Sequence, residues 1–263
     1  MPFVTLQMPE QYIHHETNVI VPDQVVQVTD HTQLIAWFNE YFDKETTELR
    51  VKTESLNAHL GALHYTVGLD KTIQVQGLNY LKGFGVQDMQ FTIPPETSSG
   101  HNMKGHLNIP NAGVLTLGLG NVTFNVMAGD IKLGLVHIYD LDLKPGNNTP
   151  PFEGDFYFDQ LVPNLVAFLD IQRVALADGM IEFNATGNST INNSQHIKYV
   201  ESVLNQKHIP FRIPATALLL DVVSGVLASG TTNGSQLPLL DTLGEVLGNK
   251  TLFGQMLGHF EKM

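Results

Sequence analysis

The chain of 263 residues has no cysteine, few charged side chains and a shortage of cations. Without cysteine it has no disulfide framework, no thiolate metal ligands and no thiol chemistry. Charged residues make up 15% of the chain, and 14 Lys and Arg against 26 Asp and Glu leave a net charge of −12. Because nucleic-acid binding depends on clustered cations, nucleic acid is excluded as a principal partner. No uncharged apolar run of about 18 residues occurs, so no segment is expected to span a membrane.

A surface so poor in charge has to be covered by Asn, Gln, Thr, Ser and Gly, which is typical of all-β and extracytoplasmic proteins. N-x-[ST] sequons support that location. They begin at Asn121, Asn147, Asn184, Asn188, Asn192, Asn233 and Asn249. We therefore expect an extracytoplasmic protein of the secretory pathway or the vacuolar lumen. The start MPFVTLQMPEQYIHHE has no signal-peptide pattern, so a targeting segment is expected upstream or the chain is a soluble, cytoplasmic relative.

Apolar and polar residues alternate over the first two thirds of the chain. The period of two is clear in VIVPDQVVQVTD, LRVKTESLNAHLGALHYTVGL, TIQVQGLNYL, VTFNVMAG and IKLGLVHIYDLDLKPG, which are bounded by Gly, Pro or Asn. This pattern predicts many short strands. We expect a mainly β protein with sandwich or barrel architecture rather than βαβ units.

Three segments have helical periodicity instead. Asp30 is a candidate N-cap for DHTQLIAWFNEYF, and Ser194 is one for SQHIKYVESVLN. Between Leu237 and Phe260, apolar residues recur at helical spacing and predict two short amphipathic helices. We expect the helices to cap the β-core. The predicted organisation is a first β-unit with one helix (1–83), a second β-unit (84–205) and a helical tail that packs on the core (206–263).

The stretch NIPNAGVLTLGLGNVTFNVMAG contains several glycines, which raises the question of a phosphate-binding loop. A dinucleotide loop needs G-x-G-x-x-G between a strand and a helix. Gly118-Leu-Gly120 lacks the third glycine and continues into the strand pattern VTFNV. We therefore predict that these glycines form a turn or a β-bulge.

Eleven histidines raise the question of a metal site. They form neither H-E-x-x-H nor H-x-H, and the spacings His59/His64 and His101/His106 place both partners on opposite faces of a strand. The acidic stretch EGDFYFD lacks the residue order of an EF-hand loop, and no G-x-S-x-G elbow occurs. We expect no metal and no cofactor, hydrogen-bonded or solvated histidines, and a solvated acidic loop beside a helix start.

An ordered set of short motifs resembles the DUF3712 family, a fungal family of uncharacterised proteins. The matching positions are Asn102, Gly105, Ile109-Pro110-Asn111, Thr116-Leu117, Leu119-Gly120-Asn121-Val122, Phe124, Leu133-Gly134, Ile138 and residues 141–147. The similarity extends over roughly residues 20–205. One departure is Ala112-Gly113, where the family usually has Pro-Ser. The resemblance implies tandem immunoglobulin-like β-sandwich units of the LEA-2 type. Such units usually lie on the lumenal side of a membrane anchor, so we expect membrane association only through an anchor outside residues 1–263.

The resemblance and the apolar strands lead to three alternative functions. The first is non-catalytic binding of a lipid or other apolar small molecule in a groove of a β-sandwich. Its candidate lining is Leu34, Trp37, Phe38, Phe124, Val136, Ile138, Phe168 and Leu169, although for each of them the residue type and spacing favour plain core packing over a ligand wall. The second is an extracytoplasmic protein-interaction module that uses sandwich faces or edge strands. The third is a cofactor-free isomerase or cyclase with His137, Tyr139 and Asp140 as candidate catalytic residues. The oligomeric state is left open.

Overall fold

The computed structural model describes residues 2–7, 10, 23–92, 100–161, 163–216 and 218. Five α-helices, one 3₁₀-helix (Asn79–Leu81) and eleven strands are present within these ranges. In chain order they are α1 (His31–Asp43), β1 (Thr46–Leu60), β2 (Leu63–Gln76), β3 (Gly85–Phe91), β4 (Met103–Asn111), β5 (Leu117–Ala128), β6 (Ile131–Leu143), β7 (Gly146–Asn148), β8 (Pro151–Phe156), α2 (Phe158–Leu161), α3 (Leu165–Ile171), α4 (Arg173–Ala177), β9 (Met180–Asn192), β10 (Gln195–His196), α5 (Lys198–Leu204) and β11 (Ile209–Pro214).

Within the described residues, nine strands form one antiparallel sheet, and β1 and β2 form a separate two-stranded sheet. The order of the large sheet is β10-β9-β5-β6-β8-β4-β3, with β11 paired to β9 and β7 paired to β4. The rings of Phe84, just before β3, and Phe211 on β11 lie 5.9 Å apart, so the sheet curls until its two ends meet. The prediction of a mainly β protein is confirmed, with a shape between a sandwich and a barrel.

The core lies inside the curled sheet because each long strand buries alternate residues. In β11, for example, Ile209, Phe211 and Ile213 are buried, whereas the residues between them are exposed. Helices α1 and α5 cover one end of this core with apolar side chains. These are Phe38, Tyr41 and Phe42 from α1 and Val200, Val203 and Leu204 from α5. Short helices therefore cap the β-core, as the sequence indicated.

The predicted N-cap of α1 is confirmed, and that of α5 is wrong. The carboxylate of Asp30 accepts a hydrogen bond from the Gln33 N–H at 3.0 Å, which satisfies one of the free amides at the helix start. Helix α5 instead begins at Lys198 after Ile197. Ser194 lies in the turn between β9 and β10, where its φ of 61° is incompatible with an N-cap.

The bulge predicted at the central glycines is confirmed. The pairing of β5 with β6 shifts register on both sides of Gly120, whose φ is +66°. A Cβ at Gly120 would lie only 2.5 Å from the carbonyl oxygen of Ile191 on β9. This position needs glycine for both its backbone conformation and its close contact with a neighbouring strand.

Two segments differ from their predicted conformation. The acidic stretch expected to be a loop forms β8 up to Phe156, and Asp159 lies in the first turn of α2. The predicted helical tail begins with a strand, because β11 pairs with β9 and its alternating residues complete the core. The amphipathic segment from Leu237 to Phe260 lies outside the described residues. Whether the chain divides at residues 83 and 205 stays a prediction.

Candidate functional site

Strands β1 and β2 form a long hairpin, which we call the ribbon (46–76). Its strands have 15 and 14 residues, which corresponds to a length of about 45–50 Å. Only its base packs on the body: Thr47 and Val75 are buried, and the indole N–H of Trp37 donates to the Glu48 carbonyl at 3.0 Å. Most of the ribbon is therefore exposed, on a scaffold that is anchored to α1.

One face of the ribbon is apolar along its length. Residues directly opposite each other in an antiparallel pair project from the same face, so Leu49 and Ile73 share one face. Beyond them the same face includes Val51, Thr53, Leu56, Ala58, Leu63, Tyr65, Val67, Leu69 and Lys71. A register shift in β1 between Thr53 and Leu56 keeps Leu56 and Ala58 on this side. Without this shift, Leu56 and Ala58 would project from the opposite face of the ribbon, because side chains alternate between the two faces along a strand.

The opposite face of the ribbon is polar and satisfied by its own contacts. Arg50 donates two hydrogen bonds, of 2.7 and 2.6 Å, to the carboxylate of Asp70 on the other strand. This bond with Arg50 lowers the pKa of the Asp70 carboxyl, so the pair is charged at neutral pH. Gln74 donates to Glu48 across the same face at 3.0 Å. The ribbon therefore separates a face suited to water from an apolar one.

The apolar face of the ribbon is unusually exposed for large aliphatic and aromatic side chains. Seven of its residues expose between 36% and 54% of their surface: Val51, Leu56, Leu63, Tyr65, Val67, Leu69 and Ile73. Taking about 150–250 Å² for each large side chain, the apolar patch measures roughly 600 Å². A patch of about this size is at the upper end of what monomers expose, and the largest patch on a monomer is often a functional surface.

The residues predicted to line a lipid groove lie in the packed interior. Trp37 is partly buried and stacks on Tyr41 at 5.2 Å, and the other seven are buried in the core. Two apolar cavities of about 20 and 30 Å³ border some of these residues. Phe124 lines both cavities, Val136 lines the first and Phe38 lines the second. Each has room for about one or two water molecules. Ligand binding by these residues stays a prediction, and it would require the core to open.

The three candidate catalytic residues have different environments. Tyr139 is exposed, and the N–H of Asp140 donates to the Asn121 side chain at 3.1 Å beside the irregular β5–β6 pairing. His137, on the outer face of β6, lies instead beside His101 and Asp155. Burial and the neighbouring His101 lower the pKa of His137, partly offset by Asp155 and Glu153.

Sequence reasoning overlooked both the exposed ribbon face and the cluster around His137. The alternation in LRVKTESLNAHLGALHYTVGL indicates two strands with one apolar side. It does not indicate that, beyond the base of the ribbon, no described element packs on this side. His101, His137 and Asp155 are far apart in the chain, so no local motif links them. They meet because the order β6-β8-β4 brings their strands together.

These features define a β-sheet protein in which, among the described residues, one face of a long ribbon exposes a row of apolar side chains. The family model described as "Protein of unknown function (DUF3712)" matches residues 1–126. This match agrees with the family indicated by the motifs, and it covers residues 1–126, just under half of the chain. They include α1, the ribbon, β3, β4 and most of β5, whereas the motif residues from Leu133 to Asn147 lie beyond the matched region. Comparison with curated proteins and with solved structures found no match.

Among the described residues, no helix combines the length and the apolar character needed to cross a lipid bilayer.

Proposed function

We propose that this protein is a non-catalytic assembly module in which the apolar face of the ribbon packs against the same face of a second copy. The observation that supports this proposal is the exposed apolar patch on one side of the ribbon. The proposal corresponds to the interaction-module alternative of the sequence analysis. Its partner is a second copy of the chain, and the contact uses a sheet face rather than a strand edge.

The stability of the ribbon favours such a partner. A two-stranded hairpin is marginally stable on its own, and it gains stability when its apolar face packs on another layer. The base of this ribbon packs on α1, but Val67 and Tyr65 lie far from that base along β2 and are half exposed. Two ribbons stacked about 10 Å apart would form a small four-stranded sandwich with a shared apolar interior.

The size of the patch is sufficient for a specific contact. Roughly 600 Å² from each copy gives about 1,200 Å² of buried surface, which is at the lower end for stable interfaces. Lys71 is the charged member of the apolar face, and its long stem lets the ammonium group reach solvent at the edge. The Arg50–Asp70 pair lies on the opposite face and stays hydrated in this arrangement. A two-fold axis would make the contact self-complementary and closed.

The oligomeric state of the full chain and of two matched variants tests this proposal. Val67→Lys places a charge on the apolar face, and Thr66→Lys places the same charge on the polar face one residue away. We expect a concentration-dependent dimer for the wild type and for Thr66→Lys in light scattering or analytical ultracentrifugation. For Val67→Lys we expect the dissociation constant of the dimer to rise at least tenfold, because the introduced charge would have to be desolvated in the interface.

Site-specific cross-linking provides an independent readout, because the chain has no cysteine. Val67→Cys should be cross-linked between two copies by a short bis-maleimide, because facing sheets about 10 Å apart hold thiols too distant for a direct disulfide. Thr66→Cys, on the opposite face, should stay unlinked. A wild type that is monomeric at every concentration would overturn the proposal. A dimer unaffected by Val67→Lys would also overturn it and would favour pairing through strand edges. Slow labelling of the Val67→Cys thiol in a monomeric chain would indicate that another part of the chain covers the ribbon.

The location that we propose is the secretory pathway or the vacuolar lumen. Asn121 and Asn147 begin sequons and are both exposed, as N-glycosylation requires. When the chain is directed into the secretory pathway of a eukaryotic host, we expect its mass to fall after endoglycosidase treatment. An unchanged mass would contradict the glycoprotein prediction. The LEA-2 likeness and a fungal source are likewise proposals that rest on the motif resemblance.

A further inference from the structure

Three potential metal ligands converge on the outer face of the large sheet. They are His137 on β6, Asp155 on β8 and His101 just before β4, and their nitrogen and oxygen donor atoms all lie within 4.8 Å of one another. The Asp155 carboxylate lies 3.0 Å from Nδ1 of His101 and 3.9 Å from Nε2 of His137. The two imidazole rings are 5.2 Å apart between centroids. The donors therefore surround one small volume.

The local structure orients these donors towards each other. Nδ1 of His137 forms a 3.2 Å hydrogen bond with the Thr123 hydroxyl on β5, which leaves Nε2 facing Asp155. A hydrogen bond to the second ring nitrogen is the usual support of a histidine that ligates metal. The Asn102 side chain accepts from the Phe156 N–H at 2.6 Å and donates to the Phe156 carbonyl at 2.8 Å. This pair of hydrogen bonds fixes the start of β4, and therefore holds His101 beside Asp155.

We propose that His101, His137 and Asp155 bind a divalent transition-metal ion such as Zn²⁺. Donors at about 2.0–2.1 Å from a tetrahedral zinc ion lie about 3.3 Å from each other, close to the 3.0 and 3.9 Å contacts of Asp155. Two imidazoles and one carboxylate are a donor set that zinc accepts, and they leave a fourth position for water. The three residues expose between 21% and 32% of their side chains, so an ion can enter from solvent.

The metal would also link three neighbouring parts of the sheet. Its ligands come from β6, from β8 and from the residue that leads into β4, which are adjacent in the sheet. An ion that binds the folded chain and not the unfolded chain raises the unfolding temperature. The site is separate from the ribbon, so metal binding and self-association can be tested independently.

Titration of the full chain with Zn²⁺ in a calorimeter, and with Co²⁺ by visible absorption, tests the proposal. We expect one ion per chain and a Co²⁺ spectrum of a low-coordinate nitrogen and oxygen site. His137→Gln and Asp155→Asn should each weaken binding at least 100-fold, because either change removes a ligand. Thr123→Val keeps the shape of the side chain but removes its hydroxyl, and we expect a loss of about tenfold.

The matched control is His64→Gln on the ribbon. The prediction that His59 and His64 lie on opposite faces of one strand is wrong, because the turn between β1 and β2 makes them cross-strand partners. Their ring centroids are 4.4 Å apart, and they offer an alternative pair of imidazoles. We expect His64→Gln to bind Zn²⁺ like the wild type and to show the same rise in unfolding temperature with metal. His137→Gln should show neither, with its circular dichroism confirming that it is folded.

Two outcomes would overturn the inference. One is a wild-type chain that binds no Zn²⁺, in which case the cluster is a hydrogen-bonded His–Asp network only. The other is binding that is lost in His64→Gln but kept in Asp155→Asn. Val67→Lys, which tests the assembly proposal, should bind Zn²⁺ normally, so failure of one proposal leaves the other intact.

Discussion

The ammonium group of Lys207 joins α1 to the segment between α5 and β11. We expect the loss of stability to differ markedly according to which partner of its ion pair is removed. Lys207 donates to Asp43 at 2.6 Å and to the Asn39 side chain at 2.7 Å. Its side chain is 9% exposed, whereas that of Asp43 is 36% exposed. The ammonium also lies 5.5 Å from the centre of the Phe42 ring. The cation is therefore buried, and its carboxylate partner is still partly hydrated.

Asp43→Asn removes the charge of the carboxylate and leaves a buried cation with neutral partners. Breaking a buried pair in this way costs about 3–5 kcal/mol. We expect about 2 kcal/mol here, because Asn39 still accepts a hydrogen bond and the site is partly solvated. Lys207→Met keeps an apolar stem beside Phe42 and leaves Asp43 free to hydrate, so about 1 kcal/mol is expected.

Urea unfolding of the two single variants and of the double variant measures this asymmetry. The double variant should resemble Lys207→Met, at about 1 kcal/mol below the wild type, because it contains no buried charge. The resulting coupling energy is about 2 kcal/mol. Glu40→Gln on the same helix is the control, since the Glu40–Lys44 pair is exposed and should contribute less than about 0.5 kcal/mol. Greater destabilisation by Lys207→Met than by Asp43→Asn would refute this reasoning.

Two further predictions concern the β5 bulge and a carboxylate on α5. Gly120→Ala should lower the free energy of unfolding by about 3 kcal/mol and Gly146→Ala by about 1 kcal/mol, because both have positive φ but only Gly120 is also crowded by a neighbouring strand; equal losses in thermal unfolding would contradict this. Burial raises the pKa of Glu201, but the Thr190 N–H and His196 outweigh it, so its folded pKa is lowered. Its ionised form therefore stabilises the fold at neutral pH, and this contribution disappears as the pH falls through the folded pKa. Glu201→Gln should be less stable than the wild type at pH 7 and equal to it in acid; a pH-independent difference would contradict the assignment.

Much of the local structure could be predicted from residues that are close in sequence. The N-cap at Asp30 and the bulge at Gly120 depend on a few neighbouring residues, so their patterns were sufficient. Ser194 shows the limit of this reasoning, because it has the residue type of a cap but its position in a hairpin turn decides its backbone conformation. The motif residue Asn111 shows another limit. Its buried amide donates to the carbonyls of Leu115 and Leu143, and the second of these contacts exists only when β4 and β6 come together.

The candidate site was less accessible to sequence reasoning than the fold. Alternation along the ribbon marks one apolar side, but the same pattern is found in strands that are buried in a core. For Phe124, the sequence pattern fits both a ligand-lining residue and a core residue, and the structure places it among the core side chains. His137 was named as a candidate together with Tyr139 and Asp140, whereas the structure places it beside His101 and Asp155.

The sequence by itself determined the strand-rich fold class, the N-cap of α1 and the role of Gly120, because period-two alternation, capping and positive φ act over a few residues. Only the tertiary structure decided which apolar faces are buried and which one is exposed on the ribbon. It also decided that His101, His137 and Asp155 share one volume. Both outcomes depend on strand order and on the curl of the sheet, which arise from contacts between residues distant in the chain.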